Sequence, residues 1–386
     1  MEVAIKKLSI LGSTGSIGKN ALNIVEYHRE KFEIIGLSAN VNAEKLVEQA
    51  LKFHPKAICI TDEGKREYVD ASLNGTDIEI YSGRDGLLEL ASRDDAELLL
   101  NAIVGSAGME PTINGIKSGA DIALSNKESL VIAGKIINDL LEEHSVNLYP
   151  VDSEHSAIWQ CLQGEKCEQI SRLILTGSGG PFRTLPAEEF RNVKKEDALN
   201  HPNWDMGNKI TIDSATMANK GLEVIEAHWL FRMPAEQIDV VIHPQSIVHS
   251  MVEFADGSIK AQLGLPDMKV PIQYALLHPD HLEPSWERLE FTQEQSLTFE
   301  PPDFKKFRCL QLAIDSLQSG GTAPAVFNIA NEIAVDGFLS DTIRFHEIPE
   351  MIESALESHT PISEPNLQEI RDTEQWTHNY LKPNLI

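Results

Sequence analysis

The stretch KKLSILGSTGSIGKNALNIVEYH, residues 6–28, decides the fold that we expect for the first part of this chain. Apolar residues up to Leu11 predict a strand, glycines at 12, 15 and 18 predict a tight turn, and a helical pattern follows. Such a turn lets backbone N–H groups approach a pyrophosphate, and the helix N-terminus adds partial positive charge. The spacing is GxxGxxG and not the stricter GxGxxG, so a purely structural glycine turn is the alternative. We expect a dinucleotide site here.

Further strand-and-helix units follow at the spacing of a parallel sheet. Continuous apolar strands that alternate with helical stretches predict an α/β fold with a Rossmann-like, doubly wound parallel sheet. Ligands bind at the carboxyl ends of the strands in such sheets, and residues 125–128 occupy such an end. Lys127 could contact a ligand there, or it could simply pair with Glu128 at the start of a helix. The units are FEIIGLSANVN (32–42), KAICITD (56–62), AELLLNAIVGSAG (96–108) and ADIALSNKESL (120–130).

The end of the second predicted strand bears on the cofactor. NAD sites usually place Asp or Glu there to hold the ribose 2′-hydroxyl. This chain has Ser38-Ala39-Asn40-Val41-Asn42, which contains no acid and so permits NADP. The turn contains no Arg or Lys that could bind a 2′-phosphate either, so the expectation of NADP depends only on the absence of an acid.

Composition limits the classes of partner. The chain has 386 residues, so two or three domains are expected, and 59 acidic against 33 basic side chains give a net charge of −26. That charge disfavours a nucleic-acid or anionic-membrane partner but leaves a phosphorylated small molecule open. No apolar run reaches the roughly 20 residues that span a bilayer. The N-terminal sequence runs directly into the first predicted strand, so we expect no leader peptide, and the four cysteines form no CxxC pair, so we expect a reducing cytoplasm.

The segment YPVDSEH, residues 149–155, places two acids after a short apolar run. If residues 147–151 form a strand, Asp152 and Glu154 leave its end on the same side. Two unpaired acids placed this way repel each other unless a cation lies between them. A solvated strand end is the alternative, and a cation site needs a third ligand.

Two loops follow in the middle of the chain. RLILTGSGGPFRTLP, residues 172–186, predicts a strand that opens into a glycine loop at 177–180, where N–H groups and the Ser178 hydroxyl can surround an anion. LNHPNWDMGNK, residues 199–209, is too irregular for a helix or strand. Its large apolar side chains fit either a small packing cluster or a lid that excludes water.

The stretch TIDSATMANKGLEVIEAHWLF, residues 211–231, supplies the third acid. We expect a helix from Ala215 with Asp213 or Ser214 as N-cap, so that Asn219, Lys220 and Glu223 share one face. An ordinary surface Lys–Glu pair is the alternative. Glu223 together with Asp152 and Glu154 would offer oxygen ligands alone, which suit Mg²⁺ or Mn²⁺ and not zinc. The donors nearby suit a phosphate, namely Ser178, Ser214, Asn219 and Lys220.

The later sequence indicates two further regions. VVIHPQSIVHSMVEFADGSIKAQLG, residues 240–264, alternates around an Asp256-Gly257 hairpin signal, which predicts antiparallel strands in an α+β domain, with His249 in the core or at an edge. Proline and charge from Pro284 to Pro302 predict a linker, and helical stretches follow. We therefore predict domains at 1–150 (dinucleotide binding), 151–284 (catalytic) and 307–386 (small and helical), with a linker at 285–306.

The ordered motifs of the whole chain resemble those of the 1-deoxy-D-xylulose 5-phosphate reductoisomerase family from residue 8 to about residue 340. They are GSTGSIG, SNKES, PVDSEH, TGSGGPFR, HPNWDMG, DSATMANKGLEVIEA, HPQSIVHSM and GLPDM. The resemblance implies conversion of 1-deoxy-D-xylulose 5-phosphate, a sugar phosphate, to 2-C-methyl-D-erythritol 4-phosphate in isoprenoid precursor synthesis. It also implies NADPH, Mg²⁺ or Mn²⁺, and a homodimer of three-domain chains.

The resemblance implies roles for individual residues. Asp152, Glu154 and Glu223 would hold the metal, and Lys127 and Ser153 would contact the substrate's carbon chain. Ser178, Ser214, Asn219 and Lys220 would hold its phosphate. Residues 201–207 resemble a mobile lid, in which His201 and Trp204 would contact the substrate, and Met206 and Gly207 would lie near the nicotinamide. The remaining cofactor residues would be Thr14, Gly15, Ser16, Ile17, Ala39, Asn40, Asn42, Asn126 and Glu128.

One position departs from the family pattern. Family members often carry a basic residue two positions after Ala39, where it can meet the cofactor's 2′-phosphate, and this chain has Val41 there. Either NADPH specificity is weaker, or Ser38 and the two asparagines take over the phosphate contacts. The sequence does not decide between retro-aldol/aldol steps and a direct shift for the rearrangement.

Two other classes of protein begin with a similar turn. An NADP-dependent semialdehyde dehydrogenase needs a nucleophilic cysteine near a base, and Cys161 and Cys167 show no activating setting. A regulatory protein descended from an enzyme should have lost ligands, whereas the expected metal and phosphate residues are present.

Overall fold

The first strand of the chain lies in the middle of a parallel sheet. The structure is a computed structural model, and it describes residues 5–200, 204, 206–292 and 296–382. The sheet has seven strands in the order β4-β3-β2-β1-β5-β6-β7, and every pair of neighbours is parallel. Its strands are β1 (Lys6–Leu11), β2 (Phe32–Ala39), β3 (Ala57–Ile60), β4 (Glu79–Ser82), β5 (Leu98–Asn101), β6 (Asp121–Leu124) and β7 (Leu148–Pro150).

This strand order confirms the predicted doubly wound fold. The chain builds outward from β1 to one edge, returns to β5 beside β1, and builds to the other edge, so the order reverses between β1 and β5. Ligands of such sheets bind at this reversal, outside the carboxyl ends of the strands. The helices along this part of the chain are α1 (Ser16–Tyr27), α2 (Ala43–Phe53), α3 (Arg66–Ser72), α4 (Gly83–Ala91), α5 (Met109–Lys117), α6 (Lys127–His144) and α7 (Ser153–Leu162).

A second sheet has four strands in the order β11-β10-β8-β9. Strand β10 is antiparallel to both of its neighbours, and β8 and β9 are parallel. The turn at Asp256-Gly257 joins β10 to β11, which confirms the predicted hairpin. The strands are β8 (Ile170–Gly177), β9 (Ile238–Ile242), β10 (Val248–Phe254) and β11 (Ile259–Leu263).

Helices make up most of the rest of the described chain. No strand lies beyond residue 305 in the described part, in agreement with the predicted helical C-terminal region. These helices are α8 (Lys195–Ala198), α9 (Asn208–Thr216), α10 (Ala218–Phe231), α11 (Lys269–Leu277), α12 (Arg308–Ser319), α13 (Ala323–Leu339), α14 (Glu347–Ser358) and α15 (Leu367–Leu381).

The chain forms two compact units, and neither is continuous in sequence. The first contains the described residues up to Ser129, then Ile137–Ser156 and Asp267–Glu287. The second contains the other described residues. The domain boundaries that we predicted at 150, 284 and 306 stay predictions.

Each unit has its own apolar core. In the first, buried residues of β1, β2 and β3 pack with α1, α2 and α11, whose Ile272 and Leu276 are fully buried. In the second, α10 packs on the four-stranded sheet through residues such as Val224, beside Leu173 and Val252. Helix α10 also meets α12 very closely, because a Cβ on Gly221 would lie 2.4 Å from the Ala313 Cβ. Within the described residues no helix combines the length and the apolarity needed to span a membrane.

Candidate active site

The glycine turn between β1 and α1 has the geometry of an anion site. Gly12 has a φ of +78°, and a Cβ there would lie 2.7 Å from the carbonyl oxygen of Ala102, so a side chain would collide with the backbone. Gly15 caps α1 without a side-chain hydrogen bond, and the first turn of α1 contains no acid. Gly15 and Ser16 are exposed, and Thr14 and Ile17 are half-buried. The helix N-terminus therefore presents free N–H donors and a partial positive charge to solvent.

Asn126 holds the loop that follows β5, at the same edge of the sheet. Its side-chain amide donates to the carbonyl oxygens of Ile103 (2.9 Å) and Gly105 (2.8 Å) and to Glu128, and its Oδ1 caps α6 by accepting from the Ser129 N–H. The residue is 1% exposed, and these bonds use the hydrogen-bonding groups of its side chain. The Asn126 side chain therefore supports residues 102–108, and the cofactor contact that we predicted for Asn126 stays a prediction. Sequence reasoning assigned this loop no role, although its glycines at 105 and 108 follow a predicted strand end.

The turn after β2 is built from neutral groups. Ser38 is 2% exposed, and its hydroxyl accepts a hydrogen bond from the Gly12 N–H at 3.0 Å. Asn40 accepts from the Thr61 hydroxyl (2.8 Å), and Asn42 caps α2 by accepting from the Lys45 N–H (3.1 Å). Ser38 thus fixes the glycine turn, and the Ala39 side chain is buried. The cofactor contacts that we predicted for this turn stay predictions.

A buried ion pair marks the carboxyl ends of β6 and β7. Lys127 begins α6 and is 6% exposed, and its Nζ lies 2.6 Å from Oδ2 of Asp152. Lys127 thus pairs with Asp152 across the strand ends. His155, fully buried, places Nδ1 3.9 Å from the same carboxylate oxygen. Sequence reasoning missed His155, although it stands three residues after Asp152.

The expectation of an extended segment at the two acids is wrong. The chain enters α7 at Ser153, so Glu154 belongs to the first turn of a helix and not to a strand end. The Ser153 hydroxyl donates to Glu154 at 2.5 Å, and the Ser153 N–H donates to Asp152 at 3.0 Å. The helix start thus holds both carboxylates, and acids near a helix N-terminus are stabilised by the helix dipole.

In the second unit, the loop after β8 lies on a buried lysine. The Lys220 ammonium donates to the Thr176 carbonyl oxygen at 2.5 Å and to the Glu223 carboxylate. Gly177 packs closely on this lysine, because a Cβ there would lie 2.8 Å from Cε of Lys220. Gly180 has a φ of +66°, and its Cβ would lie 2.5 Å from the carbonyl oxygen of Ser214. The loop therefore brings Ser178 and Ser214 to the same group of donors as Lys220.

Asn219, Lys220 and Glu223 share one face of a helix, as predicted. Asn219 donates to Glu223 at 2.5 Å, and the Lys220 and Glu223 side chains are only 5% and 1% exposed. The surface-pair alternative is thus wrong. The predicted start of the helix is also wrong, because α9 ends at Thr216 and Met217 adopts a φ of +62° before α10 begins. This break lets Ser214 and Asn219 come from two helices.

Asp213 connects α9 to the C-terminal helices. It is 1% exposed, and it accepts from Asn331 of α13 at 2.7 Å and lies 3.0 Å from Nζ of Lys209. Asp213 therefore stabilises the tertiary structure and is not the N-cap that we predicted. Sequence reasoning also missed Asn331, since it stands far along the chain from Asp213, in α13.

The predicted lid is described only in part. His201 lies outside the described residues. Trp204 and Met206 are half-buried, and Gly207 is exposed and caps α9.

Two of the cysteines are poor candidates for a thiol mechanism. Burial raises the pKa of the Cys161 thiol to about 11 and that of the Cys309 thiol to about 12, which disfavours the thiolate. The semialdehyde dehydrogenase alternative, which rested on Cys161 and Cys167, thus keeps only the exposed Cys167.

Comparisons with known proteins agree with this arrangement. Sequence profiles described as 1-deoxy-D-xylulose 5-phosphate reductoisomerase match residues 8–134, and profiles of its C-terminal domains match residues 148–231 and 263–380. The chain belongs to the 1-deoxy-D-xylulose 5-phosphate reductoisomerase family.

Named relatives match the chain over nearly its whole length. The 1-deoxy-D-xylulose 5-phosphate reductoisomerase of Chloroherpeton thalassium is 51% identical over 377 residues, covering 98% of this chain and 97% of the relative. That of Phocaeicola vulgatus is 49% identical over 369 residues, covering 96% of each.

Solved structures of the family share the fold. The reductoisomerase of Zymomonas mobilis in complex with NADPH is 41% identical, covers 99% of both chains and has a TM-score of 0.92. A reductoisomerase in complex with NADPH, fosmidomycin and magnesium is 38% identical, covers 99% of this chain and 98% of that one, and has a TM-score of 0.94.

Proposed function

We propose that this chain converts 1-deoxy-D-xylulose 5-phosphate to 2-C-methyl-D-erythritol 4-phosphate with NADPH and Mg²⁺ or Mn²⁺. The observation that carries the proposal is the buried group formed by Lys220, Asn219 and Glu223 beneath the glycine loop at 177–180. It offers phosphate donors and a carboxylate on one helix face, where the family pattern requires both.

The proposed metal ligands are Asp152, Glu154 and Glu223. Each carboxylate is already held by a neighbouring donor, namely Lys127, Ser153 or the Lys220–Asn219 pair. These carboxylates offer only oxygen ligands, which fits Mg²⁺ or Mn²⁺. A bound cation would stabilise negative charge on the substrate's neighbouring oxygens during the rearrangement. Both routes for the rearrangement stay open.

In the proposed complex, Ser178, Ser214, Asn219 and Lys220 bind the phosphate, and Lys127 and Ser153 contact the carbon chain. Binding the remote phosphate supplies energy that orients the reacting carbons. His201 and Trp204 complete the site, and the Trp204 ring shields it from water.

The proposed cofactor site is the turn after β1, where the backbone at Gly15 and the Ser16 N–H, at the N-terminus of α1, meet the pyrophosphate. Thr14 and Ile17 flank the pyrophosphate, Asn40 and Asn42 lie at the ribose, and Met206 and Gly207 lie near the nicotinamide. NADPH supplies the hydride that reduces the rearranged aldehyde.

The decisive experiment follows NADPH oxidation with 1-deoxy-D-xylulose 5-phosphate, with Mg²⁺ or Mn²⁺ and then with EDTA. We expect metal-dependent oxidation that EDTA stops. Glu223→Gln should lower turnover at least about 100-fold, because it removes a charged oxygen at the reacting centre. Glu350→Gln, on the exposed face of α14, is the matched control. Unchanged turnover in Glu223→Gln would exclude the metal role, and no oxidation by folded, NADPH-binding protein would favour a regulatory protein.

The chain also has a surface suited to the homodimer that the family implies. Strand β11 is an edge of the four-stranded sheet, and it exposes Ile259 and Leu263 on one face. We expect a dimer by light scattering and a monomer on Ile259→Lys, and a wild-type monomer would refute the dimer. The buried thiols of Cys59, Cys161 and Cys309 suit the reducing cytoplasm that we propose.

A further inference from the structure

The turn after β2 has no charged side chain where dinucleotide folds recognise the adenosine ribose. An Arg near this position accommodates a 2′-phosphate, and an Asp or Glu holds a 2′-hydroxyl. Between the end of β2 and the start of α2 the chain has only Asn40, Val41 and Asn42, and the Val41 side chain is 60% exposed. The turn is therefore specialised for neither form of the cofactor.

The polar groups of this turn are neutral and partly used. Ser38 is buried against the Gly12 N–H, and the amide oxygens of Asn40 and Asn42 accept bonds from Thr61 and Lys45. The side-chain NH₂ groups of Asn40 and Asn42 can donate to a ligand. Such donors bind a hydroxyl and a phosphate alike and contribute no ionic selectivity.

Charges around the turn are unfavourable to an added phosphate. Glu44 lies in the first turn of α2, and the Asp62 N–H donates to the Asn40 carbonyl oxygen at 3.0 Å, which brings Asp62 and Glu63 beside the turn. The nearby cations are largely engaged, because Lys45 lies 2.8 Å from Glu48 and Arg66 lies 2.8 Å from Asp70. Lys65, on the loop after β3, is the alternative cation. A phosphate monoester carries nearly two negative charges at neutral pH, so the acids repel it.

We infer that this chain binds NADH with an affinity within about tenfold of its affinity for NADPH, because neutral amides replace a charge-assisted contact. The inference rests on the proposed function, since it presupposes a nicotinamide dinucleotide at the turn after β1. It makes residue 41 the position that determines cofactor selectivity.

The test measures dissociation constants of NADPH and NADH for the whole protein from nicotinamide fluorescence, at low and at high salt, without substrate. We expect constants within about tenfold of each other, and we expect salt to favour NADPH because it screens the acids. A preference for NADPH above about 100-fold, or one that salt weakens as it would weaken a cation site, would overturn the inference. Failure to bind either dinucleotide would instead refute the proposed function.

Three variants test which residue determines the selectivity between NADPH and NADH. Val41→Arg should raise the preference for NADPH by roughly 10- to 100-fold and leave NADH binding unchanged, because it adds a charged donor. Leu51→Arg adds the same charge on α2, about 12 Å further along the helix axis, and should change neither constant. Lys65→Met should leave the ratio unchanged. An unchanged ratio in Val41→Arg, or a tenfold loss of NADPH binding alone in Lys65→Met, would show that the 2′-position is recognised elsewhere.

Discussion

Two glycine loops of this molecule, one after β1 and one after β8, begin alike and end differently. Each follows a parallel-paired strand, and each has a positive-φ glycine whose Cβ would collide with a carbonyl oxygen, Gly12 with Ala102 and Gly180 with Ser214. The first loop, residues 12–15, has no charged side chain and leads into the N-terminus of the twelve-residue α1. The second presents Lys220 and Asn219.

The difference matches the charge of the proposed ligands. A pyrophosphate linkage spreads one charge over each phosphate, which backbone N–H groups and a helix dipole can balance. A phosphate monoester carries nearly two negative charges on one phosphate group, and the buried Lys220 ammonium can balance that concentrated charge. The same backbone device thus serves two ligands, and the side chains around it decide which one binds.

The strongest test of this difference between the two loops removes the Lys220 ammonium. Lys220→Met should raise the substrate KM about 100-fold or more, because a hydrogen bond to a charged group contributes about 1.5–3 kcal/mol and Glu223 also loses its partner. The NADPH dissociation constant should not change. Steady-state kinetics and fluorescence titration measure the two quantities, with Lys305→Met, at an exposed position, as the surface control. A parallel loss of NADPH affinity would show that the loops are not independent.

The next largest effect is expected from alanine substitutions at Gly12 and Gly180, one in each loop. Gly12→Ala should weaken NADPH binding at least about tenfold and leave the substrate KM unchanged, and Gly180→Ala should do the reverse, since each methyl displaces its own loop. Each should also lower the free energy of unfolding by about 1–3 kcal/mol through strain at positive φ.

Two other glycines supply matched controls for these variants. Gly75 (φ +86°) and Gly257 (φ +82°) have nothing within 4 Å of an added Cβ. Their alanine variants should therefore lose stability but keep both ligand affinities. Loss of ligand binding in these controls would mean that general destabilisation explains the first pair.

The smallest expected effect is a difference in pH dependence. The substrate phosphate loses its second charge below a pKa of about 6, so the substrate KM should rise several-fold between pH 7 and about pH 5.5. The dissociation constant of NADH, whose pyrophosphate does not titrate there, should stay flat. Equal pH profiles for the two ligands would remove the distinction that we draw between the loops.

Folding stability must be followed in the same experiment. Burial lowers the pKa of His359 from its ordinary 6.5, so its contribution to stability is present above pH 6.5 and is lost as the pH falls toward the folded-state pKa. Melting temperatures at each pH identify the range in which ligand binding alone is compared.

The first loop was predictable from sequence in a way that the second site was not. The turn after β1 is local, because strand, glycines and helix are consecutive in residues 6–28. The break at Met217 has no local signal, since DSATMANKGLEVIEA reads as one continuous helix and methionine rarely adopts a positive φ. Tertiary contacts such as those of Met217 with Ile242 and Leu310 offset that local preference.

Residue roles were harder to predict than residue positions. Asn126, Ser38 and Asp213 lie at predicted sites, but their side chains bind other parts of the protein. Whether a polar side chain faces a ligand or a neighbouring loop depends on contacts far apart in sequence, which spacing does not reveal. The start of α7 at Ser153 is a similar case, because two acids before an apolar run fit a strand end and a helix start equally well.

The return of α11 to the first unit has a consequence for synthesis of the chain. Ile272 and Leu276 fill the core beside α1, and the Lys6 ammonium donates to the Leu276 carbonyl oxygen at 2.8 Å. A ribosome must add about 110 residues between Ser156 and Asp267, which takes roughly 5–20 s at 5–20 residues per second. During that interval the face of α1 that packs on α11 is without its final cover, so apolar surface of the nascent first unit stays exposed.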